Sequence, residues 1–149
     1  MNPLELSHTL RKEAIKNGHS VQTIASGYSM FPFLRKGDIL TVEPISMDKI
    51  KRGDVVVFES EETWIAHRVI HIHSNEGDIQ ITTRGDARVS SDPVINKTNF
   101  IGLVSTLERG FKKNSMRSFR KKMGSQIHLL GGLALSFGLN FIARKIETK

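Results

Sequence analysis

The sequence predicts a mainly β, antiparallel, barrel- or sandwich-like body, with a short helix before it and a hydrophobic helix after it. Three observations carry this. Between Val21 and Leu107 six short β-rich runs follow one another, separated by turn residues and by no helical stretch. The 149 residues suffice for one domain with a real core and are too few for two ordinary ones. The 21 residues from Met123 to Ala143 carry no charged side chain, which sets them apart from everything upstream.

Residues 3–17 read as a helix, with Pro3 suited to its first turn and Asn17-Gly18 supplying the stop, since glycine tolerates the left-handed conformation that ends helices. Arg11, Lys12, Glu13 and Lys16 interrupt any apolar run here, so the segment does not read as a secretory signal peptide. The expected strands are Val21–Ala25, Ile39–Glu43, Val55–Glu59, Trp64–His73, Ile79–Arg84 and Ile101–Leu107. Three turns share a basic residue followed by Gly-Asp: Lys36-Gly37-Asp38, Arg52-Gly53-Asp54 and Arg84-Gly85-Asp86. In such turns Gly supplies positive φ and Asp accepts hydrogen bonds from nearby backbone N–H groups. Residues 109–122 read as a basic connector with seven Lys/Arg. The expected organisation is therefore an N-terminal helix over 1–19, a β domain over 20–108, and a connector with a hydrophobic helix over 109–149.

The formal net charge of +7 is unevenly placed. Residues 1–108 hold 12 Lys/Arg and 14 Asp/Glu, a net of −2, whereas residues 109–149 hold 10 Lys/Arg and only Glu147, a net of +9. A tail this basic suits a phosphate polymer or an anionic membrane surface. As a helix, 123–143 would extend about 30 Å, the thickness of a bilayer's hydrocarbon core. His128, Gly132, Ser136 and Asn140 recur at spacing four and form one narrow polar or small stripe. Such a helix can cross a membrane, lie in its interface or cover an apolar face of the β body. If it crosses, seven Lys/Arg before it against three after it place the β body in the cytoplasm. The expected location is membrane-associated, with a cytoplasmic alternative.

The absence of cysteine excludes a disulfide scaffold, a thiolate zinc site and a cysteine nucleophile. Chemistry then points to Ser26-Gly27-Tyr28-Ser29-Met30-Phe31-Pro32-Phe33-Leu34, where a serine between Gly and Met ends a β run. A serine hydroxyl is a poor nucleophile until a base comes within hydrogen-bond reach. His67, His71 and His73 share parity on one expected strand, so a metal site competes with that reading, although no carboxylate lies at a persuasive spacing. Trp64 and Tyr28, the only Trp and Tyr, flank these candidates and read as core packing or as cleft lining; Phe31, Pro32 and Phe33 form an apolar knob beside the serine.

The run G-Y-S-M-F-P-F-L-R-K-G-D-I-L resembles the nucleophile box of the type I signal peptidase and LexA-type repressor superfamily. K-R-G-D-V-V-V-F-E, W-I-A-H-R-V-I and T-T-R-G-D-A-R-V-S-S-D-P resemble its later boxes in the same order, and I-G-L-V its closing strand, together covering about residues 20–107. His67-Arg68-Val69 resembles the branch in which histidine replaces the usual lysine base, found in endoplasmic-reticulum, archaeal and some Gram-positive signal peptidases. An imidazole, with an ordinary pKa of about 6.5, is largely neutral at pH 7, whereas a lysine must be lowered by burial to serve.

The resemblance implies a signal-peptidase/LexA-like β body and a serine endopeptidase without a cofactor or a metal. In it Ser29 attacks the scissile carbonyl and His67 accepts and returns the proton. Asp92 matches the second aspartate of the family's downstream box and is the better candidate to orient His67. Asp86 matches the Gly-Asp of that box and braces the turn or Arg88, with the reverse assignment open. Gly27 stands where many signal peptidases carry a serine that helps bind the oxyanion, so the backbone N–H of Ser29 would carry that task, with Gly27 and Met30 beside the substrate. Ala87 and Arg88 replace the asparagines that often follow the Gly-Asp.

The implied partner is a peptide or preprotein with small residues before the cut, bound as an added strand. Membrane contact is expected through 123–143 and nucleic acid is not expected, because 20 residues before the β body cannot hold a helix-turn-helix domain. The alternative is a non-catalytic or regulatory relative that binds membrane or nucleic acid through the basic tail.

Overall fold

In the computed structural model residues 3–116, apart from residue 76, are described. Helix α1 spans Pro3–Lys16. The strands are β1 (Val21–Ile24), β2 (Ile39–Glu43), β3 (Val55–Ser60), β4 (Thr63–Asn75), β5 (Asp78–Arg84), β6 (Phe100–Arg109) and β7 (Lys112–Ser115). All paired neighbours run antiparallel, in the order β1-β2-β6-β3-β4-β5, with β7 added to β6. The mainly antiparallel β body with one short N-terminal helix is therefore present. The hydrophobic helix expected over 123–143 lies outside the described residues, and among these no helix is long and apolar enough to cross a membrane.

Helix α1 ends as its Asn-Gly pair requires. Gly18 adopts φ +82°, and the N–H groups of Gly18 and His19 donate to the carbonyls of Ile15 and Ala14, a Schellman closure of the last turn. The helix sits on the sheet through buried Ile15. His8 and Lys12 reach Glu59, and the rings of His8 and Trp64 meet edge to face at 5.5 Å.

Strand β3 explains why the body is a closed core and not a one-sided sheet. Its Val55 and Val57 join one buried cluster, with Met30, Leu34, Leu40, Val42 and Leu107. Its Val56 and Phe58 join the other, with Val69, Ile81, Ile95 and Leu103. Side chains alternate across a strand, so four consecutive buried residues mean that both faces of β3 are covered.

The connector expected from residue 109 begins differently. Arg109-Gly110-Phe111-Lys112 is a turn, with Gly110 at φ +57°, and Lys112–Ser115 returns as β7 along β6. Lysines in an edge strand keep their ammonium groups in water while the backbone pairs, which is why a basic sequence can be a strand here.

Two of the three Gly-Asp turns share one geometry. Gly37 and Gly53 have φ +92° and +91°, and Asp38 and Asp54 accept from the N–H groups of Arg35 and Lys51 at 2.7 and 2.8 Å. Asp38 is also buried and receives both Nε and Nη2 of Arg109 at 2.8 and 2.6 Å, which ties the loop before β2 to the end of β6. The Arg109 hydrogen bonds, helped by the Arg35 N–H and opposed by burial, hold the Asp38 carboxyl below the ordinary carboxylate range. A carboxyl lowered in the folded state stabilises the fold above the ordinary value of about 4, and that stability is lost as pH falls through the folded value. The stability gap between the natural protein and Asp38→Asn should therefore be widest near pH 7 and shrink below about pH 4. Chemical denaturation at both pH values checks this, and an unchanged gap would remove the ionic explanation.

Candidate active site

Ser29 lies in the turn-rich segment between β1 and β2, held by structure on both sides. Phe31 N–H donates to the Tyr28 carbonyl and Leu34 N–H to that of Met30. Met30 and Leu34 are buried in the core, so the segment is anchored by apolar burial immediately after the serine. Met30 also touches the third Gly-Asp turn, its Sδ accepting from the Asp86 N–H at 3.4 Å.

His67 stands on β4, buried, opposite Val56 of β3. Its Nε2 lies 2.8 Å from Ser29 Oγ and its Nδ1 lies 2.6 Å from Asp92 Oδ2. The same Oδ2 accepts from Thr83 Oγ1 at 2.7 Å, and the Asp92 N–H donates to the Thr83 carbonyl at 2.8 Å. Thr83 is fully buried. Asp92 is thus fixed by side chain and backbone alike, with its carboxylate on the imidazole. A carboxylate accepting at Nδ1 sets the tautomer with the proton on Nδ1, and leaves Nε2 free to accept the serine proton.

Asp86 goes elsewhere. Its two oxygens take Nε and Nη2 of Arg68 at 2.8 and 2.7 Å, while Arg68 Nη1 donates to the Gly53 carbonyl and the guanidinium lies over the Phe33 ring at 4.6 Å. The bracing partner is therefore Arg68 and not Arg88, and Asp86 does not reach His67. A bidentate guanidinium–carboxylate pair fixes both groups in one plane, which locks the loop after β5 to β4 beside the site.

The shared parity of His67, His71 and His73 does not survive in the structure. The register between β4 and β5 shifts between Val69 and His71, so one extra residue in β4 moves His71 and His73 to the face opposite His67. Their rings lie 5.9 Å apart on an exposed surface. Among the described residues no group of His, Asp and Glu could hold a metal ion.

Sequence reasoning missed two contributors. Thr83 reads as an ordinary β-branched strand residue, and only its packing against Asp92 makes the hydroxyl a fixed donor. Gly85 reads as a turn glycine like Gly37 and Gly53, yet it has no positive φ. A Cβ added there would stand 2.5 Å from the Ser29 carbonyl oxygen and 3.1 Å from His67 Nε2. Its role is close approach. The loop it belongs to donates the Ala87 N–H to that same Ser29 carbonyl at 2.9 Å.

The three side chains open into a cleft walled by residues 23–27 on one side and 63–67 on the other, with Trp64 and Gly27 in its lining. Tyr28 is exposed and outside that lining, Phe31 is half exposed, and Phe33 packs against the core. Among the described residues β1 pairs with β2 alone, and β4 pairs with β5 only from Arg68 onward. Unpaired backbone therefore faces the cleft from both walls.

No protein-family model matches the chain. Among curated proteins it is 39% identical over 69 residues to the signal peptidase complex catalytic subunit SEC11C of Homo sapiens, and equally to those of Canis lupus familiaris and Mus musculus. The match takes in 44% of this chain and 35% of the relative, so the chain covers about a third of the length of these proteins. Over that stretch the chain is similar to the catalytic subunit of a signal peptidase.

Proposed function

We propose that this protein is a membrane-associated serine endopeptidase of signal-peptidase type, with Ser29 as nucleophile, His67 as general base and acid, and Asp92 as the residue that orients His67. The observation that carries the reading is the unbroken line of short hydrogen bonds from Ser29 through His67 to Asp92. The similarity to signal peptidase catalytic subunits supports it independently.

In the proposed reaction Ser29 Oγ bonds to the scissile carbonyl carbon as its proton passes to His67 Nε2, and the carbonyl oxygen takes up the negative charge. Asp92 stabilises the imidazolium so formed. His67 then returns the proton to the leaving amine as the C–N bond breaks, and water repeats the sequence to release the acyl group. Backbone N–H groups at Gly27 and Ser29 line the place where the oxyanion develops, and Met30 supports them from the core. The substrate lies extended between β1 and the start of β4, where both walls offer unpaired backbone. Small side chains before the cut belong to this reading through the resemblance to signal peptidases.

The test is hydrolysis of a leader peptide ending in Ala-x-Ala by the purified full chain. Cleavage after the second alanine, abolished in both Ser29→Ala and His67→Ala with unchanged circular dichroism, is the expected result. Cleavage that survives either substitution would sink the assignment, and membrane or nucleic-acid binding without any cleavage would favour a regulatory relative.

A further inference from the structure

Little formal charge lines the cleft, where Thr23, Ile24 and Ala25 face Trp64, Ile65 and Ala66, although Arg11 touches both walls, donating to Thr23 Oγ1 at 3.3 Å and lying 5.6 Å from the centre of the Trp64 ring. Two charged side chains besides the imidazole complete the lining, Asp92 and Arg88. Asp92 is committed to His67 and Thr83. The Arg88 side chain has no hydrogen bond or ion pair to any described residue. The contrast with its neighbours is informative, because Arg68 and Arg109 each hold a carboxylate through two hydrogen bonds.

Arg88 is also placed with care. Its N–H donates to the Gly85 carbonyl at 2.9 Å, the adjacent Ala87 N–H holds the Ser29 carbonyl, and four residues later Asp92 is fixed on His67. The backbone that carries this cation is thus tied to the nucleophile on one side and to the orienting carboxylate on the other. Val89, the next residue, is almost fully exposed and outside the cleft lining, so Arg88 stands where that lining gives way to solvent. A guanidinium offers a planar fork of donors that matches a carboxylate, and it remains charged at every working pH.

We propose that Arg88 makes the cleft selective for peptides that carry a carboxylate beside the cleavage point. The proposal rests on the peptidase reading and names a substrate feature for it. An acidic side chain in the bound peptide would meet Arg88, whose fork is unengaged while that of Arg11 is held on Thr23 and Trp64, through paired N–H···O bonds at the edge of the groove, and the corresponding amide would forgo the ionic part. Arg88 acting only on the field around Asp92 would instead affect all peptides alike.

The experiment uses amidated decapeptides with an Ala-x-Ala core that carry one Asp, or Asn in its place, at each position flanking the cut. A further Asn peptide has a free terminal carboxylate. Binding is measured by calorimetry on Ser29→Ala, which holds peptides without turnover, and hydrolysis is measured on the natural chain. At one flanking position the Asp peptide should bind about tenfold more tightly than its Asn partner, as expected for a charge-assisted bidentate contact. The gain should disappear in Ser29→Ala/Arg88→Gln and pass to a Lys peptide in Ser29→Ala/Arg88→Glu. A gain confined to the free-acid peptide would place the recognition at the peptide terminus and overturn selectivity for a carboxylate beside the cut. Equal binding of every Asp and Asn pair, a preference that persists in Arg88→Gln, or no peptide binding at all overturns the proposal. Carboxylate-selective binding without hydrolysis by the natural chain would leave Arg88 standing and remove the peptidase reading; hydrolysis without acid preference would do the reverse.

Discussion

Asp92→Asn should lower kcat for leader-peptide hydrolysis by about 10⁴-fold while leaving the fold and peptide binding in place. The carboxylate oxygen Oδ2 accepts from two donors at once, His67 Nδ1 and Thr83 Oγ1. An asparagine whose carbonyl takes the Oδ2 position keeps both bonds but loses the negative charge that stabilises the imidazolium, and one whose NH2 takes that position faces the ring and Thr83 with a donor. In the second case Nδ1 must accept, the proton moves to Nε2, and the imidazole then donates to Ser29 when it should accept. The loss falls on kcat because no substrate contact changes. Asp86→Asn, which loosens only the Arg68 pair, should leave far more activity. Steady-state kinetics of the two variants decide the matter: comparable losses would mean that Asp92 has no special part in proton transfer.

Gly85→Ala should abolish activity, with the effect seated in the backbone and not in any catalytic side chain. The added methyl would need to stand 2.5 Å from the Ser29 carbonyl oxygen, a distance real Cβ atoms do not show, and the obstructing atom is backbone. Relief requires the Ser29 segment and the loop after β5 to separate, which stretches the Ala87 N–H bond to that carbonyl and draws Ser29 Oγ away from His67. A misplacement of about 1 Å at a reacting group can cost about 100-fold. Gly37→Ala, at a surface turn with open space around it, provides the control; its cost is the positive φ, so it should reduce stability while activity per folded molecule is kept. Activity retained in Gly85→Ala would show that the two segments are not held as closely as the structure places them.

Much of the architecture is legible in the sequence because local chemistry dictates it. The stop at Asn17-Gly18, the strands at Val21, Ile39, Val55, Ile79 and Ile101, and the turns at Gly37 and Gly53 each follow from residues within a few positions of one another. What fails are readings that extend a local rule over a distance. The alternation that groups His67 with His71 and His73 is correct for an ideal strand, and one inserted residue after Val69 reverses it. Lys112–Ser115 has the composition of a connector, and it is a strand because β6 offers it an edge. Gly85 has the sequence of the other Gly-Asp turns, and its purpose is set by what packs on it.

The site divides along the same line. The amino-acid order by itself determines that an unstrapped serine follows a β run, that a histidine and two aspartates come later in ordered boxes, and that all the excess positive charge lies beyond residue 108. Only the tertiary structure decides that Asp92 goes to His67 while Asp86 goes to Arg68, that Thr83 completes the carboxylate's shell, and that Arg88 is left facing a cleft. The physical reason is range. Turn chemistry and strand alternation act between near neighbours along the chain, whereas Ser29, His67 and Asp92 are separated by 38 and 25 residues and share hydrogen bonds only because the packed sheet removes every other arrangement of their backbones.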